Sequence, residues 1–407
     1  MPAVTETRLT ATSLTATRSF DRLPDATQAR ALLHEIAAAK ADPRPRPVDK
    51  PLALYGAGDM GRMARAHLDR IGVPIAFVVD RQADRLREIP DWQGVTLLTP
   101  DAVPNAAKRD MLLAVCVATA PFAPLESSLS AAGWADIVPF YDIAEAYRDR
   151  HPLSNGWVAN PFSPEDEAGI AAALDHWADD LSRAHHLQFL AWRRLRAEWC
   201  FAGAPVTLDD RYFIPEVRQL LSATEAFADI GAYHGGVIRR FLEIMGGRCG
   251  RIWAVEPDPA NLARLTENLT GLPEGVPVGI IPAVVADEAG NARFAGGLGY
   301  ASQISGVGTD SLSVTTIDRL GLSPSFLKLH LEGGELAALQ GATETLKRCR
   351  PLIALTSYHN DLGLWRLPLW LRETLPDYRL LMRLHSWVGT GAVIYAIPEE
   401  RLSEDRL

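Results

Sequence analysis

Along Phe326-Leu327-Lys328-Leu329-His330-Leu331-Glu332-Gly333-Gly334-Glu335, apolar and polar side chains alternate, so a strand of period two carries Lys328, His330 and Glu332 on one face. Three ionisable groups at the carboxyl end of a strand are costly to bury without partners or a function. Together they can do proton chemistry. His330 is the first candidate for a general base near neutral pH, Glu332 can orient it or hold a substrate hydroxyl, and Lys328 can stabilise a developing alkoxide. A divalent ion on His330 and Glu332 has no distinctive ligand spacing behind it, so no metal site is predicted.

A second constellation lies upstream. Apolar Phe227, Ala228 and Ile230 run into the turn Asp229-Ile230-Gly231-Ala232-Tyr233-His234-Gly235, and Val237, Phe241 and Leu242 then give a helical stripe. Gly231 and Gly235 let the backbone turn sharply and approach a ligand. Twenty-seven residues after Asp229, the run Ile252 to Val255 ends at Glu256-Pro257, where a carboxylate can accept two ribose hydroxyl protons. An acid within the turn would oppose a pyrophosphate, so Asp229 suits a cationic cofactor such as S-adenosylmethionine better than a dinucleotide. Further on, Ile280 to Ala286 reads as a strand ending at Asp287, which either meets the amine of an adenine or simply starts a turn. The glycine-rich run Gly296 to Gly308 reads as a loop over the site, with Tyr300, Ser302 and Gln303 as substrate contacts. Tyr358 and His359 follow the apolar strand Leu352 to Leu355, reach the same sheet edge, and with Glu335 complete the predicted substrate set.

The elements that must position these groups form an α/β chain of two Rossmann-like, doubly wound domains joined by a helical connector. Residues 1–50 are expected to be a mobile tail, a short helix over Asp25 to Ala41, and the stiff linker DPRPRPVDKP. Residues 51–150 carry Gly56-Ala57-Gly58-Asp59-Met60-Gly61 between the strand Leu52 to Tyr55 and a helix, and a second strand, Ile75 to Val79, ends at Asp80. Gly56, Gly58, Gly61 and Asp80 therefore make a predicted nucleotide or nucleotide-sugar site, with a purely structural role and a redox cofactor as alternatives. Leu112 to Ala118 and Ile137 to Phe140 supply further strands. Residues 151–207 are the connector, helical from Pro164 to Cys200, where the adjacent His185 and His186 point in different directions and argue against a metal. Residues 208–407 are the second nucleoside-binding domain, opened by Leu208 to Pro215 as either a lid or a packed connector.

Composition fits this plan. With 407 residues, 47% of them apolar, the chain can bury two or three cores. A net charge of −9 gives no general attraction to nucleic acid or anionic lipid. Four dispersed cysteines, no long apolar run and no secretory leader lead us to expect a cytoplasmic protein with neither disulfides nor membrane contact. Its partner is then a small molecule.

The turn Asp229 to Gly235 resembles the D-x-G-x-x-x-G first motif of class I methyltransferases. Taken with AVEPDPANLARLTENL, TTIDRL, LKLHLEGGELAALQGA and RPLIALTSYH, it resembles the FkbM-type methyltransferase family over roughly Tyr212 to Pro398. Residues 51–150 are similar to nucleotide-sugar-binding Rossmann domains, including those fused to some bacterial methyltransferases. The resemblance implies a class I methyltransferase fold and O-methylation dependent on S-adenosyl-L-methionine, commonly of a sugar or polyketide hydroxyl. One position departs from it: the aspartate of the family's K-I-D-x-E-G-x-E motif falls on His330, while Lys328, Glu332 and Glu335 keep their places. Either imidazole replaces carboxylate in the reaction, or the chain is a noncatalytic nucleotide-sugar-binding or scaffold protein.

Overall fold

In the computed structural model, residues 14–41, 43–153, 158–272 and 275–402 are described. Most of the expected mobile tail lies outside them, but its end is ordered. Ala16–Phe20 (β1) pairs in parallel with Ala197–Phe201 (β7), and Phe20 stacks on Phe201 with ring centroids 4.2 Å apart. The end of the Thr-rich segment read as a mobile tail is a strand because the aromatic partner Phe201, on a strand far along the chain, covers it.

The N-terminal sheet has five parallel strands in the order β4-β3-β2-β5-β6: Leu52–Tyr55 (β2), Ile75–Val79 (β3), Leu97–Leu98 (β4), Leu112–Val115 (β5) and Ile137–Pro139 (β6). The strand order reverses at β2, and the glycine turn sits at its carboxyl end. Gly56 has φ 99°, and a Cβ on Gly61 would lie 2.1 Å from Gly56 O, so the helix Asp59–Ile71 packs onto the turn closer than alanine allows.

The connector is two helices, Pro164–His176 and Asp180–Leu195, each with a side-chain cap at its start. The second ends where Arg196 turns left-handed at φ 54°, so the predicted helix to Cys200 is replaced by β7. The helix Ala26–Ala38 joins this pair: Leu33 and Ile36 pack with Ile170, Leu174 and Leu187, and Arg30 forms an ion pair with Asp175. It belongs to the connector rather than to a linker.

The C-terminal sheet has seven strands in the order β10-β9-β8-β15-β16-β18-β17. They are Ala226–Ile230 (β8), Arg251–Val255 (β9), Val278–Ile281 (β10), Phe326–Leu329 (β15), Leu352–Thr356 (β16), Tyr378–Leu384 (β17) and Ala392–Pro398 (β18). The first five are parallel, and β18 runs antiparallel to both of its neighbours. Along β8 and β15 the side chains alternate between faces: Phe227 and Phe326 meet an aromatic cluster with Phe213 and Phe241, while Ala228 and Leu327 face the connector helices. The predicted strand Ile280 to Ala286 is broken. Its second half, Val284–Val285 (β11), leaves for a four-stranded sheet with Asp310–Thr315 (β14), Gly290–Ala295 (β12) and Gln303–Ile304 (β13). Among the described residues no helix is long and apolar enough to cross a membrane.

Candidate active site

The chain reverses direction across the sheet at β8, with β9 on one side and β15 on the other, and ligands settle at the carboxyl ends of strands at such a point. The turn after β8 is built for close approach. Gly231, at φ 78°, would place a Cβ 2.0 Å from His330 O, so the turn lies directly against the end of β15. Gly231 N and Ala232 N both donate to Val255 O, at 2.9 and 3.0 Å, which ties the turn to β9. Glu256 then closes the crevice: Oε2 accepts from Tyr233 N at 2.9 Å, and Oε1 accepts from Asp258 N at 3.0 Å and Asn261 Nδ2 at 3.2 Å. Burial pushes the Glu256 carboxyl up in pKa against those bonds. The crevice opens into a cavity of about 860 Å³ that Gly231, Tyr233, Glu256, Asp287, His330 and Glu332 all line.

Asp229 does not face this cavity, which corrects the argument drawn from its charge. It is fully buried, in register with Lys328 across β8 and β15, and Lys328 Nζ stands 2.7 Å from its Oδ1. Burial raises the Asp229 pKa and Lys328 opposes that rise. Lys328 Nζ also donates to Gly231 O at 2.7 Å, so its charge supports the turn from beneath rather than a substrate alkoxide from above. The two residues hold the glycine turn in place: Asp229 is sealed from the cavity, while Lys328 lies along its lining with its ammonium committed to Asp229 and Gly231 O.

His330 and Glu332 lie past the end of β15 and do reach the cavity, because Glu332 takes a left-handed backbone at φ 50° that swings its side chain inward. His330 Nε2 is 2.9 Å from Glu332 Oε1, and His330 Nδ1 is 2.7 Å from the Tyr212 hydroxyl. Burial lowers the His330 pKa to about 4 against the pull of Glu332, so the ring is neutral near pH 7. Both nitrogens are already engaged, so the neutral ring offers no unengaged lone pair to a substrate hydroxyl, contrary to the first expectation for His330. Beneath the pair, His359 sits between two carboxylates: Nδ1 is 2.7 Å from Glu335 Oε1, and Nε2 is 3.4 Å from Glu332 Oε1. Burial alone would lower its pKa, but the two glutamates raise it well above the usual histidine value. Burial likewise works against ionised Glu332, yet His359 and then His330 hold it well below the usual carboxylate range.

Residues 229–383 match the family model described as Methyltransferase FkbM domain. The match begins at the buried acid of the glycine turn and takes in Glu256, Lys328, His330 and Glu332. No curated protein matches the chain. Among solved structures, it is similar to the crystal structure of Methyltransferase FkbM from Methylobacillus flagellatus KT, with a TM-score of 0.59 and 18% identity over 92% of this chain and 94% of that one. At that identity the likeness is one of fold, and its coverage extends beyond the matched domain into the N-terminal sheet.

The remaining predicted residues divide between the cavity and its supports. Ala232, Pro257, Asp287, Tyr300 and Ser302 line the cavity, and Gly235, at φ 78°, packs against Leu265 just behind it. Glu335 is not a substrate contact. It is 2% exposed and accepts from Leu331 N, Gly333 N and Thr356 Oγ1, at 3.0, 3.0 and 2.7 Å, as well as contacting His359. Tyr358 and His359 are likewise buried beneath the cavity; Tyr358 places its hydroxyl 3.4 Å from His330 Nε2. Gln303 also lines the cavity, though it is largely buried and donates to Pro152 O. In the N-terminal unit, Asp80 accepts from Ala57 N at 2.8 Å and Gln82 N at 2.7 Å, so it braces the glycine turn, beside a separate cavity of about 490 Å³ lined by Gly56, Asp80 and Val117. Gly58 is open, with nothing within 4 Å of where its Cβ would be. Sequence reasoning passed over Tyr212 and Asn261. The polar-aromatic run before β8 was the available signal for Tyr212, whose φ of 70° marks a constrained position.

Proposed function

We propose that the protein is an S-adenosyl-L-methionine-dependent O-methyltransferase acting on a hydroxyl of a sugar, nucleotide-sugar or related natural-product acceptor. The observation that carries this reading is a single cavity with two chemically different walls, Gly231 to Glu256 on one side and His330 with Glu332 on the other. Its size lies in the roughly 300–1,000 Å³ range of small-molecule sites. The first wall fits a nucleoside: the Gly231 turn lines the cavity without a side chain, packed tight against the end of β15, and Glu256 Oε2 accepts one protein bond and retains capacity for a ribose hydroxyl. Asp287, exposed on the cavity lining, is in this reading the contact for the adenine amine.

When bound, the cofactor supplies an electrophilic methyl carbon. The chain's own part is alignment and exclusion of water. Gly231 and Glu256 hold one partner, and Glu332, at the end of the adjacent strand and held by His330, receives the hydroxyl of the other. The loop over Gly299 to Ser302 covers the space between them. The N-terminal unit, with its open Gly58 and its own cavity, binds the nucleotide part of a carrier-linked acceptor in this scheme.

Titration calorimetry with S-adenosyl-L-methionine tests the reading on the intact chain and on Glu256→Gln. Hydrogen bonds to a charged group contribute about 1.5–3 kcal/mol, so the variant should bind roughly ten- to a hundredfold more weakly. Absence of binding to the unaltered chain would refute the proposal. Binding without methyl transfer to any hydroxyl of a sugar-nucleotide panel would remove the acceptor class.

A further inference from the structure

Among the described residues, one group of histidine, cysteine, aspartate or glutamate side chains brings three ligand atoms together: His330, Glu332 and His359, all within 4.8 Å of one another. The sequence gives no hint of it, because His359 arrives from a different strand. β16 runs parallel beside β15 with Leu355 opposite Leu329, so the chain leaving β16 delivers His359 under the end of β15. His330 Nε2 and His359 Nε2 then converge on the same oxygen, Glu332 Oε1, at 2.9 and 3.4 Å. Donors arranged tetrahedrally about 2.0–2.1 Å from a zinc-sized ion stand about 3.4 Å apart. His359 Nε2 is buried and forms no hydrogen bond of acceptable geometry.

The groups behind the three are those that ligands of a metal use. His359 Nδ1 is held at 2.7 Å by Glu335, which Leu331 N, Gly333 N and Thr356 Oγ1 fix in turn. Tyr212 holds the far nitrogen of His330 at 2.7 Å. A carboxylate or hydroxyl on the remote nitrogen fixes which ring atom points at the ion. The backbone strain at Glu332 and at Tyr212, both left-handed, falls on one ligand and on the residue behind another.

We propose that His330 Nε2, His359 Nε2 and Glu332 Oε1 bind one divalent transition-metal ion of the zinc class at the floor of the cavity, the ion displacing to solvent the protons that the two Nε2 atoms direct at Glu332. Two imidazoles and one carboxylate suit such an ion, whereas magnesium prefers oxygen ligands throughout. Three protein ligands leave a coordination position open, and His330 and Glu332 turn it toward the cavity. A water or acceptor hydroxyl oxygen binds there and becomes more acidic, which answers how a hydroxyl is activated beside a histidine with no unengaged nitrogen. Only this last role rests on the methyltransferase reading; the ion site stands without it.

The test uses the full untagged chain, stripped by chelator dialysis, and titrates Zn2+ and Co2+ by calorimetry and visible absorption without any methyl donor. One equivalent should bind, with a cobalt spectrum of low coordination number. His359→Gln and Glu332→Gln should each weaken binding at least a hundredfold and abolish that spectrum, with folding monitored by circular dichroism in chelator. Glu335→Gln, which removes a charge that holds His359 and the Leu331 and Gly333 amides on either side of Glu332 without touching the ion, should weaken it about tenfold. If His359→Gln fails to fold, Glu332→Gln, on a different element, decides the matter. No stoichiometric binding, binding unchanged in the variants that fold, or equal affinity for Mg2+ would overturn the proposal. Binding of S-adenosyl-L-methionine is measured separately on the same samples, so loss of one reading leaves the other assessable.

Discussion

Replacing Lys328 by methionine separates a support beneath the site from a group within it. Lys328 is 2% exposed and Asp229 is fully buried, and their ion pair, at 2.7 Å, lies between β15 and β8 in the middle of the sheet. Methionine fills nearly the same volume but leaves the Asp229 carboxylate buried without its cation. Breaking a buried pair from one side costs about 3–5 kcal/mol, whereas replacing both partners by apolar groups is often neutral. For a domain of this size that is roughly 10 °C in melting temperature. Lys328→Met should therefore melt far below the parent, and Lys328→Met with Asp229→Leu should recover most of the difference, a coupling of several kcal/mol in a double-mutant cycle. Because Lys328 also holds Gly231 O, cofactor binding should weaken along with stability. The measurements are urea unfolding of all four proteins and methyl-donor titration of those that fold. The reasoning fails if Lys328→Met melts like the parent and loses only turnover, since the ammonium would then act on the acceptor.

Acid should destabilise the protein well before its carboxylates titrate. Burial, as the first cause in each case, holds His67 and His185 at about 3 and His186 and His385 at about 4, against 6.5 for an unperturbed histidine. The unfolded chain takes up protons there near pH 6.5, so the stability present above that pH is lost as the pH falls toward the folded values. Each ring loses about 1.4 kcal/mol per pH unit, and over two units the four together lose on the order of 10 kcal/mol, comparable to a whole domain's stability. Thermal melts between about pH 7 and pH 4 should show a steep fall below pH 6, and a flat profile would mean that water reaches these rings. In the N-terminal unit, Gly61→Ala forces a Cβ to 2.1 Å from Gly56 O and should lower stability by about 1–3 kcal/mol. Gly58→Ala meets nothing within 4 Å, so it should leave the melting temperature unchanged while reducing affinity for a nucleotide that approaches the turn there; equal melting of the two variants would contradict the packing.

What was legible in the sequence was what is local in the chain. The Gly231 turn, Glu256 at the end of its strand and the alternation through Lys328 are each contained within a few residues, and period and spacing suffice to place them. What was not legible depends on cross-strand register. Nothing in the order of residues says that Lys328 falls opposite Asp229, and that pairing converts a supposed electrostatic catalyst and a supposed cofactor contact into a buried pair. Glu335 keeps its expected place in the motif, yet the backbone curls after β15 and spends its carboxylate on Leu331 N and Gly333 N. His359 was readable as a residue at this sheet edge but not as a ring between two glutamates, since that follows from where β16 ends. β1 escaped because its pairing partner is β7, across the entire N-terminal sheet in sequence.

The loop over Gly296 to Gly308 shows why the N-terminal sheet matters to chemistry at the C-terminal one. From below, Asp258 Oδ2 accepts from Gly297 N at 2.6 Å and Ser302 Oγ at 2.8 Å, and Asn261 Nδ2 donates to Gly299 O at 2.9 Å. From the other side, Arg70 donates to Gly297 O, Tyr300 reaches Met63 Sδ, and Ala301 is buried among the side chains of the N-terminal core. Asn261 also bonds Glu256, so a single hydrogen-bonded path runs from the Glu256 carboxylate through this loop to the helix Asp59–Ile71 that begins beside Gly58. A ligand that orders that helix and one that orders the loop draw on the same contacts. Any coupling carried by this path is reciprocal: a ligand at the N-terminal turn that alters affinity at Glu256 has its own affinity altered by the same factor. In this arrangement the N-terminal unit buttresses, through Arg70, Met63 and the core around Ala301, the Gly299 to Ser302 loop that lines the C-terminal cavity.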